Sequence, residues 1–184
     1  AWHATYMFQP SEQWDFSFGL RRVGFLSQLA DTIPLLSDRS WQPRWRLLWR
    51  ANKLPITIKL AGGWYRQFLY QVPLALDELS SDDELWVIAS NYFPSLRSRD
   101  WQAEVSLNTG NFYISAEYFR KFTDNISARD FSVAFNPNDP LQFRGTALAR
   151  GLDLLLRYQS KTYQSWLAYS YTKVDQRFAS GGEA

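Results

Sequence analysis

Apolar and polar side chains alternate with period two through about eight segments of this chain, and that repeat leaves little room for anything but β-strands. From Trp2 to Gln9, Trp2, Ala4, Tyr6 and Phe8 alternate with His3, Thr5, Met7 and Gln9. From Trp14 to Arg22, Trp14, Phe16, Phe18 and Leu20 alternate with Asp15, Ser17, Gly19 and Arg21. Pro43 to Asn52 sets Trp45, Leu47 and Trp49 against Arg44, Arg46, Leu48 and Arg50. Pro55 to Gln67 sets Ile56, Ile58, Leu60 and Trp64 against Thr57, Lys59, Ala61 and Tyr65. Arg99 to Asn108 and Asn111 to Phe122 repeat the pattern, with Glu104 and Glu117 on their polar sides. The stretch "ARGLDLLLRYQSKTYQSWLAYSYTK" closes the series, with Leu152, Leu154, Leu156, Leu167, Tyr169 and Tyr171 opposite polar positions that include Asp153.

The connections alternate in length. "PSEQ", "ANKL", "NTGN" and "QSKT" are polar, turn-prone and short enough for hairpins. They define hairpins at about 2–22, 43–67, 99–122 and 147–174, separated by long links at 23–42, 68–98 and 123–146. The last link carries the breaker "NPNDP", and the middle one carries "LDELSSDDELW", where Ser80 or Ser81 caps a short expected helix. Long structureless loops are uncommon in a compact soluble domain. Here they all fall at one end of the hairpins, which is the habit of outer-membrane barrels.

Alternation alone leaves open which face is buried. A small soluble barrel places apolar residues inside, and a membrane barrel places them outside. Three features favour the inverted arrangement. Segments of about 9–12 residues suit a tilted bilayer crossing. Aromatics gather near strand ends, at Trp2, Trp14, Trp45, Trp64, Trp101, Tyr158 and Tyr171, while Ala4, Leu47, Ile58, Ala103, Ala116 and Leu154 occupy the middles. Aromatics form 17% of the chain, with nine Trp, enough for interfacial girdles. No segment is apolar enough for a membrane helix. The formal charge of +2 gives no reason to expect a nucleic-acid partner, and the absence of cysteine removes thiolate metal sites. With short turns facing the periplasm, both outermost strands end on the long-loop side, so the eight strands are expected to be an internal slice of a larger barrel.

Three stretches carry a family likeness. "ARGLDLLLRY" followed by "WLAYSYTK" resembles a hairpin of TonB-dependent outer-membrane receptors, through Ala149, Gly151, Asp153, Tyr169, Ser170, Tyr171 and Thr172. "PRWRLLWRANKLPITIKLAGGWYRQ" is similar to that family's hairpin opening on Pro-Arg and closing near Gly and Gln, here Pro43, Arg44, Gly62 and Gln67. "AEVSLNTGNFYISAEYFRKFTDNIS" resembles its hairpin with an acidic-aromatic-aromatic ending, here Glu117, Tyr118 and Phe119, then Asp124 and Asn125. The resemblance implies an all-β, antiparallel up-and-down transmembrane barrel of about 22 strands, of which this chain supplies about eight. It implies residence in the outer membrane among lipid and lipopolysaccharide. It also implies energised uptake of a scarce small solute, with a plug domain and the TonB complex as partners. The plug, the TonB box and the family's aromatic-ended last strand have no counterpart in these residues. A soluble ligand- or glycan-binding β-barrel, or a structural barrel subunit of an envelope complex, is the alternative.

Candidate site residues follow from the faces. Arg44, Arg46, Arg50, Lys59, Glu104, Glu117 and Asp153 share the polar face, where they either meet a ligand or plug or pair with one another. Trp41, Phe68, Tyr70, Trp86, Tyr92 and Phe93 are candidate loop contacts for a ligand, or else pack the loops together. The acidic run Asp77, Glu78, Asp82, Asp83 and Glu84 lacks a calcium-loop pattern and reads as a solvated loop. Gly62 and Gly63 read as a strand ending, where they relieve curvature or make room for a plug. His3 is the one histidine and lacks catalytic partners, so no enzyme activity, cofactor or metal is expected.

Overall fold

A computed structural model of the chain describes residues 1–27, 36–75, 84–89, 94–130 and 142–178. Among the described residues the protein is all-β, with ten strands and no helix. They are β1 (Trp2–Ser11), β2 (Trp14–Ser27), β3 (Leu36–Arg50), β4 (Ile56–Gln67) and β5 (Leu69–Ala75), then β6 (Glu84–Ile88), β7 (Leu96–Thr109), β8 (Phe112–Asp130), β9 (Gln142–Gln159) and β10 (Gln164–Phe178). Eight of them form one antiparallel meander in the order β1-β2-β3-β4-β7-β8-β9-β10. These are the eight segments that the alternation marks.

Four short turns join these strands at one end of the sheet. Residues 12–13, 51–55, 110–111 and 160–163 make them. Gly110 takes φ +53°, the left-handed conformation that a tight hairpin demands and that glycine adopts without a Cβ clash. In the last turn the Tyr163 amide donates to Ser160 Oγ at 3.0 Å, and the Ser160 amide donates to the Tyr163 carbonyl at 2.7 Å.

The strands run farther than the alternation does. Val23–Ser27, Leu36–Gln42 and Thr123–Asp130 continue the ladder into stretches that the sequence marks as links. Beyond the apolar belt both faces can be polar, so side-chain alternation stops while backbone pairing continues. The middle link also differs from expectation. Glu84–Ile88 is strand β6, not the helix read in "LDELSSDDELW". It pairs antiparallel with β5, and β5 runs parallel to the end of β8 through Leu74↔Arg129 and Ala75↔Asp130. Strand β4 likewise passes through Gly62 and Gly63 to Gln67 without ending there.

The faces decide the architecture. On β2, Trp14, Phe16 and Phe18 are exposed, while Asp15, Ser17 and Gly19 between them are half-buried. On β9, Leu152, Leu154 and Leu156 are exposed, while Asp153 and Leu155 are half-buried. Side chains crowd one another on the concave side of a curved sheet, so the polar face is the inner one. Among the described residues the buried apolar ones are Tyr70, Val87 and Ala89, all on or beside the β5–β6 hairpin. Among its described residues the wall has no apolar core, and Phe18 keeps 51% and Trp64 48% of its surface exposed.

Candidate functional site

The cross-strand register assembles the inner face into ranks. One rank runs Lys59↔Glu104↔Glu117↔Asp153↔Ser170 across β4, β7, β8, β9 and β10. Directly opposed side chains on one sheet face stand about 4.5–5.5 Å apart at Cβ, close enough to interact. Lys59 Nζ donates to Glu104 Oε2 and lies 3.7 Å from Glu117 Oε2. Tyr113 Oη donates to Glu104 Oε1 at 3.3 Å, and Ser170 Oγ donates to Asp153 Oδ1. Three carboxylates and one ammonium in a row leave a local excess of negative charge. Arg46 answers Asp15 at 3.6 Å on the neighbouring strands.

Arginines stand on the same face of β3 and β9. Arg44 lies over the Tyr65 ring at 5.0 Å, and Arg157 lies over Tyr113 at 5.3 Å. Arg50 reaches the turn, where Nη1 donates to the Glu12 carbonyl at 3.3 Å. The inner face therefore brings Lys59, Glu104, Glu117 and Asp153 together, keeps Arg44 and Arg46 on adjacent levels of β3, and places Arg50 at the short-turn rim. Asp100, which the sequence reading did not single out, sits on the same face opposite Gly63 and Lys121. Its buried Oδ1 has no hydrogen-bond partner among the described residues. Only the register, which puts it in the same rank as Arg44 two strands away, gives it significance.

The loop aromatics divide. Trp41 lies in β3, not in a loop; it is 51% exposed on the outer face, packs edge-on against Trp2 at 5.1 Å and carries Arg22 above its ring. Tyr70 is buried with Val87 and Leu96, and its hydroxyl donates to the Pro94 carbonyl at 2.8 Å. It packs the hairpin and offers no surface to a ligand. Trp86 is 60% exposed on β6. Tyr92, Phe93, Asp77, Glu78, Asp82 and Asp83 lie outside the described residues. Gly62 stands on the outer face, away from any plug, and the Trp45 ring fills its space, so that a Cβ there would meet the ring at 3.0 Å.

The outer face carries two aromatic rims with aliphatics between them. Near the short turns stand Trp14 with Trp49 and Phe112 with Tyr158, at ring separations of 6.3 and 4.9 Å. Toward the far end stand Trp2 with Trp41 and Trp101 with Tyr118. Ile58, Val105, Ala116, Leu154 and Tyr169 form an unbroken register path between the rims.

No family model and no curated protein matches the chain. Solved structures do share its fold: the FrpB iron transporter from Neisseria meningitidis in its F3-3 variant, and the apoprotein form of the F5-1 variant. Each is 14% identical, with a TM-score of 0.64 over 96% of this chain and 25% of that chain. The chain thus spans about a quarter of the length of the transporters it matches.

Proposed function

We propose that this chain is part of the barrel wall of a TonB-dependent outer-membrane receptor, a transporter rather than an enzyme, that takes up a scarce solute with energy supplied from the inner membrane. The observation that carries the reading is the inverted sheet. A soluble barrel hides its apolar face. Here that face is the exposed one, rimmed by aromatics at both ends as a lipid-facing band is. The crowded inner face, with its row of carboxylates and flanking arginines, suits a hydrated lumen or a polar plug.

The open edges support a larger barrel, and the resemblance puts its size at about 22 strands. Among the described residues β1 pairs only with β2, and β10 only with β9. A ten-residue edge strand presents about ten backbone polar groups outward, each costing several kcal/mol in hydrocarbon. Tens of kcal/mol forbid such an edge in lipid, so further strands pair with both. In this reading Arg44, Arg46, Arg50, Lys59, Glu104, Glu117 and Asp153 face the plug or the passing solute. Trp86 is the loop aromatic best placed for a solute. The iron carried by the fold neighbours makes a chelated iron the first solute to try.

The test has two stages. The protein is expected to stay in membranes washed with carbonate and to need detergent for release. Cells bearing it are then expected to accumulate labelled iron chelate, and an uncoupler of the proton gradient is expected to abolish the accumulation. Release by carbonate alone refutes the membrane barrel. Membrane retention with uptake that ignores the uncoupler refutes energised transport.

A further inference from the structure

Two hairpin turns meet at the short-turn end of the wall. Residues 110–111 and 160–163 make them, and the Gln159 amide donates to the Asn111 carbonyl at 2.9 Å, tying one to the other. A pocket of about 410 Å³ opens between them at the rim of the inner face. Cross-strand pairing sets Asn108↔Tyr113↔Arg157↔Trp166 along its floor, and Gln159↔Gln164 stand one rank nearer the rim. Lys161 lines it from the turn. Higher on the same face Glu104, Glu117 and Asp153 are half-buried, whereas Asn108, Asn111, Arg157 and Gln159 are exposed.

The side chains of this pocket select its occupant. Tyr113 is held at its hydroxyl by Glu104 at 3.3 Å, and the Arg157 guanidinium lies over the Tyr113 ring at 5.3 Å. A fork stacked in this way is oriented before any ligand arrives, and it takes a carboxylate through two parallel N–H bonds. Arg157 and Lys161 are the charged residues of the described lining, which holds no carboxylate, so the pocket carries +2. A simple anion needs no more than that. Asn108, Asn111 and Gln159 add three side-chain amides, each able to donate and to accept, as N-acetyl and hydroxyl groups require. Trp166, 71% exposed beside Arg157, adds a flat apolar face with one N–H donor, on which the C–H face of a pyranose ring can stack. The volume falls within the range of about 300–1,000 Å³ that holds a small organic group.

We propose that this rim pocket binds the acidic, N-acetylated amino-sugar glycan of the cell wall and so tethers the mouth of the barrel to peptidoglycan. The inference rests on the membrane-barrel reading, in which the short turns face the periplasm, and goes beyond it by giving the wall a second ligand on that side. The intact protein, extracted in mild detergent, is to be sedimented with purified peptidoglycan sacculi and, separately, with chitin, a neutral amino-sugar polymer. The wild type is expected to be retained at least fivefold more on sacculi. Arg157→Gln/Lys161→Gln is expected to lose that preference, and Trp166→Ala, with its charges intact, to bind sacculi at least threefold less. Arg21→Gln/Arg22→Gln, which removes the same charge from the far end of β2, is expected to bind as the wild type does, and heat-modified gel mobility reports the fold of each. Equal retention of the wild type on the two polymers, or equal losses in the two double variants, overturns the proposal. A photoreactive residue at the exposed Thr162 position is expected to capture glycan strands in living cells, and capture of protein alone overturns the site in favour of a plug or another periplasmic protein. Thr162→Cys tests the reading beneath it. Labelling by an impermeant maleimide in intact cells puts the short turns outside and overturns that orientation together with this site. Labelling only after the outer membrane is opened, with unselective polymer binding, overturns this site alone.

Discussion

Replacing Leu154 with arginine separates a lipid-facing wall from a soluble sheet by the size of the loss. Leu154 is 40% exposed in the middle of the outer face, between Ala116 on β8 and Tyr169 on β10. It lies four residues from Tyr158, which stands in the lower aromatic rim. At about 3.3 Å per residue and a tilt of roughly 40°, that is about 10 Å of height, near the middle of an apolar band about 25 Å tall. A buried arginine at that depth costs about 2–4 kcal/mol, or roughly 30- to 900-fold in the folding equilibrium. The same change on a water-facing sheet costs within about 0.5 kcal/mol. Ser165 is the depth control, because it stands opposite Tyr158 at the rim, where an arginine costs about 0–1 kcal/mol. The assay is reversible denaturant unfolding of the intact protein from lipid vesicles, followed by tryptophan fluorescence. Equal losses for Leu154→Arg and Ser165→Arg, or a loss below about 0.5 kcal/mol for Leu154→Arg, would falsify the lipid-facing assignment.

Three further outcomes are expected. Lys59→Met leaves Glu104 and Glu117 opposed without a cation, and should cost about 1–2 kcal/mol in the same unfolding assay. Adding Glu104→Gln should recover most of that loss, and a double variant no better than Lys59→Met would show that the ammonium is not holding the rank together. Gly151→Ala drives a Cβ into the Tyr171 carbonyl and to 2.6 Å from the Phe119 ring, an overpacking cost of about 1–3 kcal/mol. Gly24→Ala, whose nearest contact is 3.9 Å, should change unfolding little, so similar losses at both glycines would refute the steric account. Single-tryptophan variants in vesicles of brominated lipid should show strong quenching at Trp45 and Trp101. Trp166 shares the inner parity of Arg157 and should respond to aqueous acrylamide instead, and the reverse pattern would invert the wall.

The eight wall strands and their two faces were legible because period two is the geometry of the strand itself. The turns were legible because Gly110 and the polar pairs around it are chemically distinctive. The extensions of β2, β3 and β8 were not, since pairing there is carried by the backbone and leaves no mark on side-chain order. That is why Trp41 reads as a loop residue in the sequence and proves to be part of a strand. The β5–β6 hairpin escaped notice because Pro73 argues against a strand, and five residues are too few to show a period. The carboxylate rank was half legible. The sequence puts Lys59, Glu104, Glu117 and Asp153 on one face, but only the register brings them to one level. The bulge between Asp124 and Ile126 left one faint signal, Asn125, whose φ of +64° is a conformation that asparagine adopts more readily than most residues.

The buried contact of Tyr70, Val87 and Leu96 bears on the order in which the wall assembles. Every neighbouring pair in the meander is also adjacent in the chain except β4 and β7, which are separated by residues 68–95. Closing that span costs about 2 kcal/mol more than closing a two-residue turn, by the entropy of a flexible chain. The β5–β6 ladder takes up most of the span beforehand, and Tyr70 then draws Leu96 in, to the point where β7 begins. The small cluster acts as a clasp that shortens the search for the one non-sequential pairing. Loosening it is expected to slow insertion of the wall more than it weakens the meander, which among the described residues packs no buried residue against the cluster except through Leu96.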